Sequence, residues 1–599
     1  MSHPTLVDRR HLDLILHDML DAEGLCRYPR FAEHSREIFD ATIDLAEQIA
    51  EQKFAPHNRK SDLNEPQMVD GKVVLIPEIE EALRAFSEAG FMSIYAAAED
   101  GGMQMPFLIT SACDALFATA NASTPAYPLL ARAAANLLAV YGSEEQKRLF
   151  MRPIIEGRYY GTMCLSEPHA GSSLADIKTV ATPHEDGGYR ITGSKMWISA
   201  GDHEMGENIV HLVLAKIAGA PAGVKGISLF IVPRFRVNED GSRGARNDVR
   251  LAGLNHKMGQ RGSVNTFLKF GEQDDCHGYL VGEPHQGLAY MFHMMNEERI
   301  GVGMGAVQQG MGGYLYSLQY ARERRQGRHP DQRDPASPML PIIEHADVRR
   351  MLLQQRAYVE GAQALGLYAA SLVDHGHEGD ETTRRESTQL LDLLTPIVKA
   401  WSSDWCLKAN ELAVQVLGGY GYTREYPVEQ YYRDNRINPI HEGTNGIQAL
   451  DLLGRKAMQA QGAGLKLLLQ RIEACCAAAE NDAALAPYAA ALREAAALCA
   501  RTTLEAGKRI AEGEVRAVLA NANWYMQLLG HTCIAWMWLW QASAAARRAA
   551  AQPALAEFAA GKLATCRFFF ATELPQIEHW ARLVSDVDRS ALEMPESGF

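Results

Sequence analysis

A strand-rich segment between two long helical stretches constrains the fold of this chain more than any other sequence feature. Short runs of apolar and β-branched residues there alternate with glycine-containing turns; the runs are Tyr189–Ile191, Lys195–Ser199, Ile209–Lys216, Gly226–Val232 and Thr266–Phe270. Several short strands at this spacing predict a small barrel or sandwich. Because helical periodicity lies on both sides and no parallel βαβ repeat is visible, the pattern predicts an α+β protein.

Apolar residues recur at helical spacing before this segment, and Pro77 and Gly90 suit the start and end of one such helix. The helices predicted there cover residues 12–20, 36–53, 77–90 and 115–138. The helical period returns from Gln286 to about Gln459, with a polar loop at 327–341, and an alanine-rich helical region follows. These changes predict an N-terminal helical extension (1–35), an N-terminal α domain (36–160), a middle β domain (161–283), an α-helical bundle domain (284–460) and an additional C-terminal helical domain (461–599).

The segment Ala517–Ala546 lacks charged residues and contains Trp536, Trp538 and Trp540, so its length alone would allow a membrane span. Gln527, His531 and further polar residues interrupt its apolar pattern. The sequence therefore favours a buried packing helix or a subunit interface over membrane contact by the C-terminal domain.

The composition is that of a globular protein with reduced thiols. Of 599 residues, 47% are hydrophobic and 22% charged, and the net charge of -14 argues against nucleic acid as the main partner. Ten cysteines without a CxxC pair indicate neither a disulfide framework nor a zinc site, so no metal is expected. The N-terminus mixes charges with leucines and does not resemble a secretory signal, so a cytoplasmic location is expected.

The stretch from Asn438 to Gln448 places an acidic residue, Glu442, at the end of a polar connection. Gly443 lets the backbone approach a ligand closely, and Thr444 offers a hydroxyl at a predicted helix start. A carboxylate desolvated there would have a raised pKa and would act as a base near neutral pH. The alternative is a solvated glutamate at a capped helix start.

A second candidate site combines an aromatic ring with hydroxyl groups. Trp197 and Ser199 alternate along one predicted strand and therefore share a face. Ser166 and Ser172 belong to a polar turn where the helical region meets the strands. A broad ring beside a hydroxyl suits a flat heteroaromatic ligand, whereas the alternative is a tryptophan that fills the core of a barrel.

Other motifs point away from several common enzyme classes. The segment Gly301–Ala306 fits the pattern GxGxxA, but the periodicity before it is that of a helix and not of a strand. We interpret its small residues as positions where helices pack closely. The sequence contains no GxSxG, Walker-type or HExxH motif, so a serine hydrolase, an NTPase and a zincin lack support.

Five motifs occur together in one order: CLSEPHAGS (164–172), GSKMWIS (193–199), RERRQGR (322–328), QVLGGYGYTREYPVEQYYRD (415–434) and HEGTNGIQ (441–448). In these residues, and over about 36–460, the sequence resembles the FAD-dependent acyl-CoA dehydrogenases. The resemblance implies an N-terminal helical domain, a middle β-barrel or sandwich domain and a C-terminal four-helix bundle. The chain length, the segment 201–216 and the tail resemble the long subgroup of this family, which has an added C-terminal helical domain.

The resemblance also assigns roles to the matching positions, with Glu442 as the catalytic base. It implies that FAD is bound by Ser166, Ser172, Trp197, Ser199, Arg324, Gln415, Gly418, Gly419 and Thr444, and the substrate by Ser172, Arg299, His441 and Gly443. Because the adenine-side residues act across a subunit interface in the family, a homodimer or a larger homo-oligomer is expected.

Three positions depart from the family pattern. Gly327 stands where a phenylalanine is common, Ser173 where an acidic residue is usual, and His441 where a tyrosine is frequent. Two functional roles are open for His441, which would either trim the acyl pocket or tune Glu442 through its own titration. The alternative is a side chain that only fills space behind the site.

The function implied is α,β-dehydrogenation of a medium- to long-chain fatty acyl-CoA to the trans-2-enoyl-CoA in β-oxidation, with electron-transfer flavoprotein as the electron acceptor. The alternative substrate is 3-methylthiopropanoyl-CoA. An acyl-CoA oxidase and a catalytically silent flavin-fold scaffold are alternative functions. Glu297 and Glu298 compete with Glu442 as the base, although beside Arg299 on a helix they fit a solvated or salt-bridged pair.

Overall fold

The computed structural model describes residues 6–185, 187–332 and 334–599, except for the side chains of 293–296. The chain forms two compact units. The first unit contains the described residues up to Asp40 together with Pro106–Ala115 and Arg299–Phe599, and the second contains Ala41–Met105 and Leu116–Glu298.

The chain before the main sheet is largely helical, as predicted. Its helices are α1 (Arg9–Asp13), α2 (Arg36–Ile49), α3 (Ala55–Leu63), α4 (Pro77–Glu88), α5 (Phe107–Ala120), α6 (Ala126–Tyr141), α7 (Glu144–Gln146) and α8 (Arg152–Ile155). The segment 115–138, predicted to be helical, is divided between two helices, because α5 ends at Ala120 and α6 begins only at Ala126. Asn121 ends the first of them, since its Oδ1 accepts the backbone N–H groups of Ser123 at 2.9 Å and Thr124 at 3.1 Å.

A two-stranded hairpin, β1 (Gln67–Val69) and β2 (Lys72–Val74), was not predicted within the helical region. Its turn consists of Asp70 and Gly71, whose φ angles are 51° and 76°. Asp-Gly between short apolar runs is a strong hairpin signal, so the sequence did contain the information.

The strand-rich region has the form of a barrel with extensions. Its strands are β3 (Tyr159–Cys164), β4 (Val180–Pro183), β5 (Tyr189–Ser199), β6 (Asn208–Ile217), β7 (Ile227–Pro233), β8 (Phe235–Val237), β9 (Arg243–Arg246), β10 (Val249–Leu254), β11 (Asn265–Phe270) and β12 (His277–Leu280). Strand β5 pairs with β12, β12 with β7, β7 with β6, β6 with β4, and β4 again with β5, which closes a ring. Strands β11 and β10 extend the sheet from β5, and β3 extends it from β6.

The two strands predicted at 189–191 and 195–199 form the single strand β5. Gly193 does not interrupt it but pairs with Phe270 of β11. A Cβ atom at Gly193 would lie 2.4 Å from the Thr179 hydroxyl oxygen, so glycine is required by close packing and not by a turn. Ile191, Phe230 and other buried apolar side chains form the core of this sheet.

The helical region that follows contains α9 (Gly287–Glu323), α10 (Ala346–Glu378), α11 (Glu381–Leu417), α12 (Val428–Asn435) and α13 (Asn445–Asp451). The segment 301–306 lies inside α9 and not at the end of a strand. A Cβ atom at Gly303 would lie 2.4 Å from the Val398 carbonyl oxygen of α11. The interpretation as a helix-packing position is therefore confirmed for Gly303, whereas a Cβ atom at Gly301 or Gly305 would meet no other atom within 4 Å.

The C-terminal region is helical throughout its length. It contains α14 (Gln459–Ala479), α15 (Ala486–Ala511), α16 (Val515–Leu519), α17 (Ala522–Ala551), α18 (Ala556–Phe568), α19 (Gln576–Ser585) and α20 (Ser590–Glu593). Helix α17, which contains most of the uncharged segment 517–546, packs against α10, where the Trp538 indole donates to the Ala357 carbonyl at 2.8 Å. The prediction of a packing helix is confirmed.

Within the described ranges, the structure contains no helix that combines the length and apolar character required to cross a membrane.

Candidate active site and cofactor-binding residues

Glu442 lies on the short connection between α12 and α13, in a backbone conformation that is rare for its residue type. Its φ is +51°, and that of Gly443 is +83°. A non-glycine residue in the left-handed region costs about 1–3 kcal/mol, and such residues cluster at functional sites. Helix α13 then begins as predicted, because the Thr444 hydroxyl accepts the N–H of Ile447 at 3.3 Å.

The surroundings of Glu442 make it a stronger base than a solvated carboxylate. The residue is half-buried. Desolvation raises the pKa of Glu442, and the positive charges of Arg299 and Lys399 partly oppose that shift. Arg299 is buried on α9 and Lys399 is buried on α11. Because its pKa is raised, such a carboxylate accepts a proton more readily. The nearby positive charges at the same time stabilise its deprotonated form.

Lys399 holds the backbone beside Glu442, and sequence analysis did not identify it. Its Nζ donates to the Gly443 carbonyl at 2.8 Å and to the Asn445 side-chain oxygen at 2.9 Å. Gln448 Nε2 donates to the Glu442 carbonyl at 3.2 Å. Burial lowers the pKa of Lys399 to about 8, while the Asp404 and Glu442 charges favour its protonated form. Glu442 therefore lies on a turn whose carbonyl groups are held by side chains of α11 and α13.

A chain of asparagines fixes His441. Its Nε2 lies 3.0 Å from Asn438 Oδ1, and Asn438 Nδ2 donates to Asn435 Oδ1 at 2.9 Å. Asn435 Nδ2 in turn donates to Asn410 Oδ1 at 2.7 Å. Because Asn438 uses its amide as a donor, its oxygen must accept, which places the His441 proton on Nε2.

Burial lowers the pKa of His441 to about 3. The imidazole is therefore neutral at physiological pH, and the hypothesis that its titration tunes Glu442 loses support. A role in shaping the acyl pocket or in filling space is compatible with this fixed, neutral ring.

Glu297 and Glu298, interpreted from the sequence as a solvated or salt-bridged pair, are not fully solvated. Both side chains are half-buried. Desolvation raises the pKa of Glu297 to about 7, and Asn136 Nδ2 lies 3.4 Å from its carboxylate. Glu297 is therefore a real competitor for the role of base, because its environment also perturbs its pKa.

Trp197 and Ser199 lie at a β-bulge in β5. Two residues of β5, Met196 and Trp197, face the single residue Phe267 of β11. Trp197 has a φ of +66° and is 62% exposed, whereas the intervening Ile198 is 2% exposed. The Ser199 hydroxyl accepts from Asn265 Nδ2 at 3.2 Å. The alternative of a tryptophan filling the barrel core is thus wrong, and the exposed ring fits the flat ligand expected there.

The loop that carries Ser166 is attached to the same bulge. The Ser166 carbonyl accepts the N–H of Met196 at 3.0 Å. The next residue, Glu167, is buried and accepts from Lys195 Nζ at 3.0 Å and from the Thr179 hydroxyl at 2.6 Å. Sequence analysis missed this buried ion pair, which fixes the start of the loop.

The later part of the same loop is open. Ser172 and Ser173 are exposed. The Ser173 hydroxyl hydrogen-bonds the Asp176 carboxylate, so an acidic group stands near the position where the family usually has one. Ser172 is accessible to a ligand at this edge of the sheet.

A cavity of about 520 Å³ contains several of the residues predicted to bind the adenine half of FAD. Its lining residues are Tyr320, Arg324, Gln326, Ile342, Val416, Leu417, Gly418, Gly419, Tyr420 and Thr423. Gln415 directly precedes the lining residue Val416 in the sequence but does not itself line the cavity.

The glycines of this cavity leave room for a ligand. A Cβ atom at Gly418 or Gly419 would meet no other atom within 4 Å, and Gly418 has a φ of +63°. The Arg324 guanidinium lies 5.5 Å from the centre of the Tyr420 ring. A cavity of this size with a planar cation and an aromatic ring fits part of a dinucleotide.

Gly327, where the family commonly has phenylalanine, has a φ of +67° and lies near His345. A Cβ atom there would come within 3.4 Å of the His345 ring. Glycine adopts this left-handed backbone conformation without strain, whereas a phenylalanine at the same position would be strained.

Comparison with known proteins agrees with these features. Four family descriptions match consecutive parts of the chain: "Acyl-CoA dehydrogenase, N-terminal domain" at 38–158, "Acyl-CoA dehydrogenase, middle domain" at 162–271, "Acyl-CoA dehydrogenase, C-terminal domain" at 285–458 and "Acetyl-CoA dehydrogenase C-terminal like" at 468–595. The last of these covers most of the C-terminal helical region.

Two similar proteins span most of this chain. The 3-methylmercaptopropionyl-CoA dehydrogenase of Ruegeria pomeroyi is 37% identical over 540 residues, covering 89% of this chain and 90% of the relative. The broad-specificity linear acyl-CoA dehydrogenase FadE5 of Mycobacterium tuberculosis is 33% identical over 587 residues, covering 94% of each chain.

A solved structure has the same fold over nearly the whole length. The acyl-CoA dehydrogenase of Bacillus anthracis, complexed with FAD, superposes with a TM-score of 0.74 at 20% identity, covering 95% of this chain and 91% of that one. The predicted helix–barrel–helix fold with an added C-terminal region is confirmed. From its sequence relatives, this chain belongs to the acyl-CoA dehydrogenase family of oxidoreductases.

Proposed function

We propose that this enzyme catalyses the α,β-dehydrogenation of a linear acyl-CoA to the trans-2-enoyl-CoA, with Glu442 as the base. The observation that carries the proposal is the state of Glu442. Its backbone is in the left-handed region, its pKa is raised by desolvation, and the next carbonyl group is held by Lys399. Family membership supports the same residue, because the motif around it resembles that of the catalytic base.

The chemistry requires a base of this kind because the α-hydrogen of a thioester is a very weak acid. The Glu442 carboxylate removes that proton while the C–H electron pair moves into the new double bond. The cofactor is FAD, which when bound accepts the hydride released from the β-carbon. Donors near the thioester carbonyl stabilise the developing negative charge, and we propose the backbone N–H of Glu442 as one of them.

The residues available for FAD form two groups. Around the ring system we propose Ser166, Ser172, Trp197 and Ser199, which belong to the bulged strand and its attached loop. For the adenine half we propose Arg324, Gln415, Gly418 and Gly419, supported by the cavity and by the open space beside its glycines. Thr444 is proposed as a further contact at the start of α13.

For the acyl-CoA we propose contacts with Ser172, Arg299, His441 and Gly443. Arg299 contributes positive charge beside Glu442, and the neutral His441 contributes shape. A fixed, neutral ring next to the base suits an apolar acyl chain better than a charged imidazolium would.

The substrate that we propose is a medium- to long-chain fatty acyl-CoA in β-oxidation. The similarity to a broad-specificity linear acyl-CoA dehydrogenase supports a linear chain. A second candidate is 3-methylmercaptopropionyl-CoA, the thioester also called 3-methylthiopropanoyl-CoA, because the relative with 37% identity is named for it.

We further propose that electron-transfer flavoprotein is the electron acceptor and that the enzyme is at least a homodimer in the cytoplasm. The dimer is supported by the adenine-side residues, whose counterparts in the family act across a subunit interface.

A thioester panel tests this function directly. The FAD-loaded enzyme, mixed anaerobically with short-, medium- and long-chain acyl-CoAs and with 3-methylmercaptopropionyl-CoA, should lose its flavin absorbance fastest with medium and long chains. Fastest bleaching by the methylmercapto compound would select the second candidate. Peroxide release in air would identify an oxidase, and absence of bleaching by every thioester would identify a silent scaffold.

A further inference from the structure

The C-terminal helix α17 contacts α11 through a glutamine whose orientation is fixed. Gln527 Oε1 accepts the Trp405 indole N–H at 2.7 Å, and Gln527 Nε2 donates to Asp404 Oδ2 at 3.3 Å. An indole nitrogen can only donate, so the amide oxygen must face Trp405 and the amide nitrogen must face Asp404.

The second carboxylate oxygen of Asp404 holds the segment that carries the base. Asp404 Oδ1 accepts from Asn445 Nδ2 at 2.7 Å. Asn445 Oδ1 accepts from Lys399 Nζ at 2.9 Å, and Lys399 also donates to the Gly443 carbonyl. Ser403 Oγ lies 3.1 Å from the same Asn445 oxygen. Asn445 is therefore held at both ends of its amide.

These contacts form one continuous series from α17 to the turn at Glu442, with the donors converging on Asp404. Asp404 is flanked by two amide donors, Gln527 on one oxygen and Asn445 on the other. Desolvation raises the pKa of Asp404, and the hydrogen bonds from Asn445 and then Gln527 oppose that shift. Loss of either donor would remove one of the two contacts that fix the orientation of this half-buried carboxylate.

We propose that Gln527 is a positioning residue for the dehydrogenation: through Asp404 and Asn445 it fixes the left-handed turn that presents Glu442. The proposal rests on the function proposed above for Glu442. It assigns the C-terminal helical region a part in catalysis as well as in packing. A turn that costs energy to form must be held by its surroundings, and this series of side chains does so from α17.

The test replaces Gln527 by methionine, which has similar size but can form neither hydrogen bond. The matched control is Gln541→Met on the same helix, because Gln541 is also hydrogen-bonded through both ends of its amide, to the Glu360 carbonyl at 3.3 Å and to Lys562 at 2.8 Å. Gln527 is half-buried and Gln541 is buried. Both variants remove a hydrogen-bonded amide from α17, but only the first acts on Asp404.

We expect Gln527→Met to lower kcat by about tenfold with little change in KM, because misplacement of a catalytic group slows chemistry more than binding. Amide hydrogen exchange of the peptide spanning 439–447 should become faster in this variant. Gln541→Met should leave both kcat and that exchange at the parental values, whatever it does to thermal stability.

A double-mutant cycle then tests whether the effect of Gln527 on turnover depends on Asn445. If the series of contacts carries the effect, Gln527→Met combined with Asn445→Ala should be no slower than Asn445→Ala alone. Fully additive losses would overturn the proposal. So would parental kcat and exchange in Gln527→Met, or equal losses in Gln541→Met, which would indicate general destabilisation.

Two further variants keep the outcomes separate. If Gln527→Met does not fold, Trp405→Phe is used, because it removes the donor that orients Gln527. It should lower kcat and accelerate the amide hydrogen exchange of the peptide 439–447; parental values would overturn the proposal.

Glu442→Gln is measured in parallel. If it keeps the parental rate, the proposed function itself fails, whereas an inactive Glu442→Gln with a fully active Gln527→Met overturns only the role of Gln527.

Discussion

At the scale of single residues, Glu442 is unfavourable in two ways that are linked. Its left-handed backbone and its desolvated carboxylate both raise the free energy of the folded chain, and the charges of Lys399 and Arg299 offset part of that cost. The same arrangement makes Glu442 a usable base. A catalytic role would explain why a conformation and an environment that lower the stability of the fold occur at this position.

Lys399→Met should shift the pH dependence of turnover. The Lys399 charge holds the pKa of Glu442 down against desolvation, so its removal should raise that pKa further. Because Glu442 acts in its deprotonated form, the acid limb of the kcat/KM profile should move to higher pH. At pH values below the acid limb, the kcat/KM of Lys399→Met should be lower than that of the parent by roughly tenfold for each unit by which the pKa of Glu442 rises.

The control for that measurement is Lys456→Met. Lys456 is also buried in the first unit, where it hydrogen-bonds the Asp392 carbonyl at 2.8 Å, but it is not among the charges that shift Glu442. Its profile should keep the parental acid limb. An unmoved limb in Lys399→Met would refute the electrostatic account.

At the scale of elements, close approach between helices depends on individual glycines. Gly361 of α10 faces α17, where an added Cβ atom would lie 2.7 Å from Ile534 and 2.9 Å from the Trp538 indole nitrogen. Gly305 of α9 has open space at the same position. The two glycines therefore differ in what they contribute, although both lie inside long helices.

Gly361→Ala should destabilise the protein by about 1–3 kcal/mol through overpacking. Gly305→Ala should be neutral or stabilise it by up to about 1 kcal/mol, since alanine is the better helix former. Chemical denaturation followed by far-UV circular dichroism measures both. Equal effects of the two substitutions would show that the α10–α17 contact is looser than described.

At this scale, the sequence predicted features that depend on neighbouring residues and missed features that depend on contacts between distant residues. Strands β6 and β7 are long apolar runs and were recognised, whereas β4 is short and mostly exposed and was missed. Glu442 could be selected as the candidate base because its motif is local. The contact of Lys399 with the turn could not be predicted, since Lys399 and Gly443 are 44 residues apart in sequence. The bulge that exposes Trp197 depends on pairing with β11, which periodicity does not reveal.

At the scale of the whole molecule, the C-terminal helical region completes the core of the first unit. Trp401 of α11 is fully buried and its indole donates to His531 of α17 at 2.9 Å. Gly530 allows the two helices to approach, because an added Cβ atom there would lie 2.3 Å from the Trp401 ring. The region is thus integrated with α11, the helix that carries Lys399.

Deleting residues 465–599 should therefore expose Trp401 and other apolar side chains, and cause aggregation or subunit dissociation. Size-exclusion chromatography with light scattering would measure this, alongside vesicle flotation of the parent protein. A soluble, fully active truncated enzyme that had lost only vesicle binding would contradict the packing role and favour membrane contact.

The most direct test of the central claim compares two carboxylates as the base. Glu442→Gln and Glu297→Gln each keep side-chain size and remove the basic oxygen, and both proteins should bind FAD. The rate of flavin reduction by acyl-CoA, followed anaerobically in single turnovers, separates chemistry from product release. We predict a loss of about 10²–10⁴-fold for Glu442→Gln and a rate within a few-fold of the parent for Glu297→Gln. A near-parental rate in Glu442→Gln, with the loss appearing in Glu297→Gln instead, would contradict the assignment of Glu442.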